Sequence, residues 1–270
     1  MVLAPFRLVA SVVRRFHTER CAQTAAALSF STLLGLVPML AVGAVLIETL
    51  PFGIKLSAAL EKFLLSTLLP EKAGVVIVKY LGLFAQRADQ VTWIGLAVLA
   101  LTALMQMLTI EHTFNALWKV KKRRPWLRRL GMHSLALLAG PLVFGGALAS
   151  ITYLAGASLG FVDEPMRLQA AFAQIIPLMF LAGMFSLLYW VLPNRLVSRW
   201  HAGLSGVLAA LAFVGMQRLF ALYVVKFPTY ALVYGAFSAV PIFLLWLYLS
   251  WSVILLGALL TAELPGLTRR

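Results

Sequence analysis

Carboxylates are the first residues to consider, because clustered carboxylates could hydrolyse a phosphodiester. Metal-assisted cleavage needs carboxylates or histidines close enough to share ions ~4 Å apart. The sequence has nine acidic residues in 270, and only Glu111 lies deep within an apolar run. Asp89 and Asp163 fall between such runs, and the chain carries no glycine-rich nucleotide-binding loop. We therefore expect no catalytic residues, no enzymatic activity and no ribonuclease function.

The histidines and the single cysteine offer few metal ligands. His17, His112, His133 and His201 all lie at the ends of predicted helices. Converging histidines could bind a metal ion, but no two of these show the i, i+4 spacing of ligands on one helix. Cys21 is alone and cannot form an intrachain disulfide. The sequence predicts no metal site and no cofactor.

The composition is typical of a membrane protein. Hydrophobic residues make up 62% of the chain and charged residues 12%, and the mean hydropathy is +0.93. So few charges cannot cover a soluble domain of this size. The apolar runs reach ~20 residues or more, whereas barrel strands would be ~10 residues with alternating polarity. The predicted fold class is all-α, a polytopic integral membrane protein.

The predicted architecture has six transmembrane helices. An interfacial amphipathic helix (1–23) precedes a membrane domain (24–262) with a helical insertion in its first outer loop (51–90), and a short tail (263–270) follows. The spans are predicted at about 24–47, 92–117, 133–159, 170–192, 202–225 and 237–262.

Prolines are expected to kink several of these spans, because proline removes a helical hydrogen bond. The candidates are Pro38, Pro141, Pro177 and Pro241. They fall in spans one, three, four and six, which correspond when the chain is halved. This pattern would suit inverted repeats, although proline is common in membrane helices in general.

The basic stretch, residues 118–129, holds seven of the 23 lysines and arginines and no acid. With it, the inner segments of the six-span arrangement hold 15 basic residues and the outer segments seven, which predicts cytoplasmic termini. Between apolar helices, such a stretch favours contact with anionic headgroups over nucleic acid. Membrane lipids are the expected partners, and no nucleic acid is expected. The expected lipid contacts are Lys119, Lys121, Lys122, Arg123, Arg124, Arg128 and Arg129.

Ionisable groups inside the spans are candidates for a cavity or substrate site, because such groups seldom face lipid. Glu111 either lines a cavity, reaches the inner headgroups or forms a polar cluster with Asn115 at the inner end of its helix. Arg218 either lines a cavity, meets Glu48 or extends toward the outer headgroups.

Aromatic residues mark predicted helix ends. Tyr189 and Trp190 are expected at the inner interface. Tyr230 and Tyr234 lie between the fifth and sixth spans, where they form either an interfacial belt or a loop that lines a cavity. The second interpretation adds both tyrosines to the candidate substrate contacts.

A set of motifs runs from about residue 14 to residue 263. They are Ala25–Pro38, Phe114–Trp118, Gly140-Pro141, Tyr189–Asn194, Phe227–Tyr230 and the series Tyr234-Gly235, Pro241, Trp246, Trp251 and Leu256–Ala258. Together they resemble the YihY/BrkB family of bacterial inner-membrane proteins, historically also labelled the ribonuclease BN family. The resemblance implies six helices with cytoplasmic termini. Family labels have included a tRNA-processing ribonuclease and a serum-resistance factor, and lipid or envelope export has been proposed, but none transfers a catalytic residue to this chain.

The leading functional hypothesis is transport or flipping of an amphipathic, lipid-linked envelope molecule. Kinked helices, small-residue packing and few buried charges suit acyl chains better than free ions. No ATP-binding motif is present, so a gradient or a partner would have to supply energy. The alternative is a membrane scaffold that docks partners through its basic cytoplasmic face. An ion-conducting oligomer ranks third, and a homo-oligomer is possible in any of these cases.

Overall fold

The computed structural model describes residues 3–48, 93–121, 124–135, 166–226 and 239–268. All regular structure in these ranges is helical, and none of the described residues forms a strand. The helices are α1 (Leu3–Thr18), α2 (Cys21–Glu48), α3 (Trp93–Leu117), α4 (126–135), α5 (Met166–Val191), α6 (Arg199–Lys226) and α7 (Ala239–Thr268). The all-α prediction is confirmed.

Three described helical stretches are long and apolar enough to cross a membrane, and a fourth apolar stretch is shorter. The long ones are Ala97–Leu117, Arg199–Val224 and Val240–Gly266, and the shorter one is Pro177–Val191. The three long stretches coincide with the predicted second, fifth and sixth spans, and the shorter one coincides with the predicted fourth span. The structure is thus that of a helical membrane protein. Six spans remains a prediction, because the 51–90 insertion and most of the 133–159 span lie outside the described residues.

The chain divides into two compact units, and α2, α3 and α5 contribute to both. Unit 1 comprises Met1–Leu33, Thr109–Arg124 and Leu178–Arg270. Unit 2 comprises Leu34–Leu108 and Pro125–Pro177.

Helix α7 forms the centre of unit 1 and packs against both α6 and α1. Its sequence is apolar on all sides, as expected of a helix that is buried or spans a membrane. Helix α1 turns Val12 toward the protein and leaves Val9 and Val13 exposed, so its apolar residues form two faces. The buried apolar side chains of α7 include Phe243, Trp246, Trp251, Leu255, Leu259 and Leu264.

Within unit 2, the described core is a short apolar face of α3. Ala103 is fully buried and packs against its neighbours on the same helix, Leu99 and Met107 among them. Gly35 of α2 lies against Gln106, and a Cβ at Gly35 would come within 3.1 Å of the Gln106 Cγ atom. A small residue at position 35 therefore allows α2 and α3 to approach closely.

Helix α3 ends in a Schellman motif that fixes the start of the basic stretch. The Lys119 N–H donates to Ala116 O and the Val120 N–H donates to Asn115 O, both at 2.9 Å. Lys119 has a φ of 52°, a conformation that glycine usually adopts at this position. A side chain there costs about 1 kcal/mol. The turn between α1 and α2 has the same feature at Arg20, whose φ is 53°.

Candidate functional site

Glu111 is the buried carboxylate of α3. Only 1% of its surface is exposed, although it lies on a helix of membrane length. Asn115, one helical turn later, donates from Nδ2 to Glu111 Oε1 at 3.3 Å. The i, i+4 spacing places both side chains on one side of α3. Glu111 and Asn115 thus form a polar pair on α3, and the predicted cavity role of Glu111 stays a prediction.

The polar cluster continues from Asn115 to the turn between α5 and α6. Asn115 Oδ1 accepts a hydrogen bond of 2.7 Å from the backbone N–H of Asn194. The Asn194 side-chain oxygen accepts one of 3.1 Å from Arg124 Nε, and Arg124 Nη2 also donates to Val191 O at 3.1 Å. These bonds join Glu111, Asn115, Asn194 and Arg124 into one chain, which we call the Glu111 cluster.

Arg15 organises a second polar group in unit 1, the Arg15 cluster. Its guanidinium contacts Glu263 Oε1 at 2.6 Å and Glu19 Oε1 at 2.8 Å, and it donates to Leu117 O at 2.9 Å. Ser11 adds a hydrogen bond of 3.0 Å to Glu263 Oε2. Burial alone would lower the pKa of Arg15, but the hydrogen bonds and charges of the two carboxylates outweigh it and raise that pKa. The cluster fastens α1 to the ends of α3 and α7.

A continuous series of aromatic rings runs through unit 1 beside the Glu111 cluster. Phe114 of α3 stacks on Trp118 at 6.0 Å and on Tyr189 at 6.4 Å between ring centroids. The series continues through Phe185, Phe213, Trp246, Phe220 and Tyr223, with successive centroids 5.1 to 6.3 Å apart. Such contacts contribute about 0.5–1.5 kcal/mol each beyond area burial.

Tyr189 lies in the protein core near the end of α5, and its predicted level at the inner interface stays a prediction. It is fully buried, and its hydroxyl donates to Ile254 O at 3.1 Å. A Cβ at Gly257 would overlap the Tyr189 ring, and a Cβ at Gly206 would overlap Ser186. Two glycines therefore let α5, α6 and α7 approach closely enough to enclose the tyrosine. The neighbouring Trp190 is exposed.

The four histidines differ in exposure and in hydrogen bonding. His17 and His112 are exposed, and His133 is buried with Nδ1 2.7 Å from Arg129 O, which makes Nδ1 the protonated nitrogen. Within the described ranges, His201 Nδ1 and Ser205 Oγ are buried without a hydrogen-bond partner. No group of three or more potential metal ligands occurs among the described residues.

The basic stretch separates into internal and exposed side chains. Arg124 belongs to the Glu111 cluster, and Arg129 Nη2 donates to Leu108 O at 3.1 Å within unit 2. Lys119, Lys121 and Arg128 are exposed, and Lys119 reaches Glu19 at only 3.7 Å. Lys122 and Arg123 lie outside the described residues. Arg124 and Arg129 thus have structural partners that the lipid-contact prediction did not include.

Arg218 is exposed on α6. Leu211 and Leu222, seven residues before it and four after, are exposed on the same side of the helix. Among the described residues it has no hydrogen bond or ion pair. The Glu48 side chain, Tyr230 and Tyr234 lie outside the described part, so the proposed pairing with Glu48 stays a prediction.

The prolines that are predicted to kink the spans lie at different positions in their helices. Pro38 lies within α2 and Pro177 within α5. Pro241 is the third residue of α7, where its missing N–H costs no intrahelical bond. Pro141 lies outside the described residues.

Sequence reasoning missed Arg15, Glu263, Asn194 and the burial of Tyr189. Arg15 and Glu263 are 248 residues apart, and Arg124 and Asn194 are 70 apart. No spacing rule links residues at such separations. The available signal was the small number of acids: Glu263 is the first acid after Glu164, and the chain has many arginines that could pair with it.

Residues 12–269 match the family model described as Virulence factor BrkB. The chain belongs to the BrkB family. The chain is also similar to the UPF0761 membrane proteins of Aromatoleum aromaticum and of an Azoarcus strain, each 46% identical over 256 residues, or 95% of this chain and 63% of the relative. The relative from Nitrosospira multiformis is 42% identical over 264 residues, covering 98% of this chain and 62% of its own length.

The resemblance inferred from the motifs is thereby confirmed. This BrkB family chain spans about 63% of the length of the first relatives it matches. The names of the family model and of these relatives state no catalytic activity. No solved structure matches the chain.

Proposed function

We propose that this BrkB family protein moves an amphipathic, lipid-linked envelope molecule across the bacterial inner membrane, with both of its termini in the cytoplasm. The observation that carries the proposal is the buried carboxylate of Glu111 on an apolar helix. Removing a carboxylate from water costs several kcal/mol. Ionisable groups in membrane helices commonly mark substrate or proton pathways.

The position of Glu111 suits the polar end of such a substrate. It lies six residues before the end of α3 at Leu117, which is ~9 Å along the helix axis. A headgroup at this depth would remain near one membrane surface while its acyl chains stay among apolar side chains. Asn115 supplies amide hydrogen bonds beside the carboxylate.

Arg218 supports the same proposal from the opposite part of the membrane. It lies 19 residues after the start of α6 at Arg199, or ~28 Å along the axis. Its guanidinium is exposed beside exposed leucines, where a lipid phosphate could pair with it at low cost.

Proteoliposomes containing the full chain test the proposal. We would reconstitute it with fluorescent phosphatidylglycerol or a fluorescent polyprenyl diphosphate and measure the dithionite-accessible fraction with time. Glu111→Gln preserves shape but removes the charge, and we expect it to slow movement about tenfold, equivalent to ~1.4 kcal/mol of barrier. His112→Gln, an exposed change on the same helix, is the matched control. Wild-type vesicles that move neither probe faster than empty vesicles would contradict the proposal.

A second candidate function is a scaffold that binds acidic partners through the basic stretch. It is favoured by the exposed side chains of Lys119, Lys121 and Arg128. Cross-linking in cells from position 121 or 128 would recover a stoichiometric protein partner if this function is correct. Position 124, whose side chain bonds to Asn194, should then cross-link poorly.

A further inference from the structure

Large apolar side chains are exposed at the turn between α5 and α6. Leu196 is fully exposed, and Trp200 is 79% exposed. Trp190 and Val191, at the end of α5, are also exposed. We call residues 190–200 the α5–α6 turn.

These residues lie at the ends of apolar helices. Only seven residues, 192–198, separate the end of α5 from the start of α6, so both helix ends lie at the same membrane surface. A fully exposed leucine in water would forfeit the free energy of burying its side chain. Tryptophan prefers the boundary between headgroups and acyl chains. The α5–α6 turn therefore fits a position within the membrane interface.

The cations of the turn complement an anionic lipid. Arg195 and Arg199 are both exposed, and the Arg199 guanidinium lies 5.0 Å above the Trp190 ring. Arg195 donates one long hydrogen bond of 3.5 Å to Trp118 O. The sequence has no acidic residue between Glu164 and Glu263, and neither arginine forms an ion pair with any described residue. Two cations thus remain available beside exposed apolar groups.

Arg124 holds this turn in place. It donates to Asn194 Oδ1, Val191 O and, at 3.4 Å, Pro193 O. Asn115 binds the Asn194 N–H from the other side. The backbone before Arg195 is therefore bonded on both sides. This reduces the conformational freedom that binding would otherwise remove.

We infer that the α5–α6 turn binds an anionic phospholipid: Arg195 and Arg199 contact the headgroup phosphate, and Leu196 and Trp200 enter the adjoining acyl region. Arg124, predicted from sequence as a lipid contact, is instead a positioning residue for this surface. The inference requires only that the protein is in a membrane. It does not depend on transport, so either proposal can fail alone.

Native mass spectrometry of the full chain in mild detergent tests the inference. Phosphatidylglycerol and phosphatidylcholine are titrated separately. Because each basic residue near a surface contributes about five- to sixfold to binding, we expect the Arg195→Gln/Arg199→Gln double variant to weaken phosphatidylglycerol binding about thirtyfold. Phosphatidylcholine binding should be unchanged. Equal affinity of the wild-type protein for the two lipids would overturn the inference.

Matched variants separate this surface from general charge attraction. Arg7→Gln/Arg14→Gln removes two exposed charges from α1 and should leave phosphatidylglycerol binding unchanged. An equal loss in this control would overturn the inference. Leu196→Ser alters a side chain that is fully exposed, so it cannot unfold the core, and we expect it to weaken binding several-fold.

A spectroscopic measurement reports on the apolar part of the surface. Bromine-labelled phosphatidylglycerol quenches tryptophan fluorescence at short range. Trp200→Phe should remove the part of the tryptophan fluorescence that the bromine-labelled lipid quenches. Trp118→Phe, a change at a buried position, should leave that part unchanged. Identical quenching in the wild-type protein and Trp200→Phe would contradict insertion of the turn.

Discussion

The Arg15 cluster and the Glu111 cluster both contain glutamate, but their carboxylates differ in exposure and in the partners that they bind. The Arg15 cluster pairs opposite charges that stay partly exposed, with 16% of the Arg15 side chain and 27% of the Glu263 side chain accessible. Glu111 is buried on an apolar helix with an amide beside it. The first arrangement joins distant parts of the chain and tolerates water. The second excludes water from a carboxylate, which is why we place function there.

Removing Arg15 should have the largest effect on stability. Arg15→Leu leaves Glu19 and Glu263 without their cation and Leu117 O without its donor. We expect a loss of about 3 kcal/mol in the free energy of unfolding, measured by detergent titration in mixed micelles. Arg15→Lys should lose less, because it keeps the charge but not the planar fork.

The pH dependence of Arg15 itself is a check on that result. A raised pKa in the folded state means that its stabilisation is fully present below the unfolded pKa and is lost only as the pH rises through the folded one. The difference between wild type and Arg15→Lys should therefore stay constant over the neutral range. A change within that range would indicate that another group sets the strength of the cluster.

Glu111→Ala should have the next largest effect, a loss of about 2 kcal/mol in the free energy of unfolding. It removes the acceptor of Asn115 Nδ2 and leaves a cavity in unit 1. Glu111→Gln retains an acceptor oxygen and should cost less than about 1 kcal/mol. A large stability loss in Glu111→Gln would indicate that Glu111, like Arg15, mainly stabilises the fold.

Asn194→Ala separates the two parts of the Glu111 cluster. It deletes the acceptor of Arg124 Nε but retains the backbone N–H that Asn115 binds. We expect a loss of about 1 kcal/mol, together with faster proteolysis near residue 195. The control is Ser198→Ala, an exposed position in the same turn, which should be close to wild type in both measurements.

Lys119→Gly should be stabilising, by about 0.5–1 kcal/mol. It relieves a side chain held at a φ of 52°, although it also removes a weak ion pair with Glu19. Lys119→Val should be destabilising, since a β-branched residue tolerates this backbone region poorly. Both would be compared by thermal unfolding in detergent.

The smallest effect concerns Ser205. Serines such as Ser29, Ser186 and Ser250 donate to the carbonyl four residues earlier, but Ser205 Oγ has no such bond among the described residues. Ser205→Ala should therefore change stability by less than about 0.5 kcal/mol, or raise it. A marked loss would reveal a buried water or ligand that the hydroxyl binds.

Features that depend on composition or on short spacings could be predicted from the sequence, whereas contacts between residues far apart in the chain could not. Composition and run length suffice for a helical membrane protein, because burying apolar helices in lipid needs no tertiary detail. The Glu111–Asn115 pair follows from helical spacing. Arg124 was assigned to lipid because its charge is visible in the sequence, whereas its partner, Asn194, is brought near only by the packing of α3 against the α5–α6 turn. The burial of Tyr189 was not predicted for a similar reason: the glycines that enclose it lie on other helices.

The enclosure of Tyr189 restricts how these helices can move. Gly206 and Gly257 leave no slack for a neighbouring side chain to slide past, and the Tyr189 hydroxyl is held by Ile254 O. Sliding α7 along α5 by one residue would place a leucine or an alanine where Gly257 now admits the ring. The packed parts of α5, α6 and α7 are therefore held in one register relative to each other. Relative sliding of these helices would therefore require the Tyr189 ring to leave its place between them.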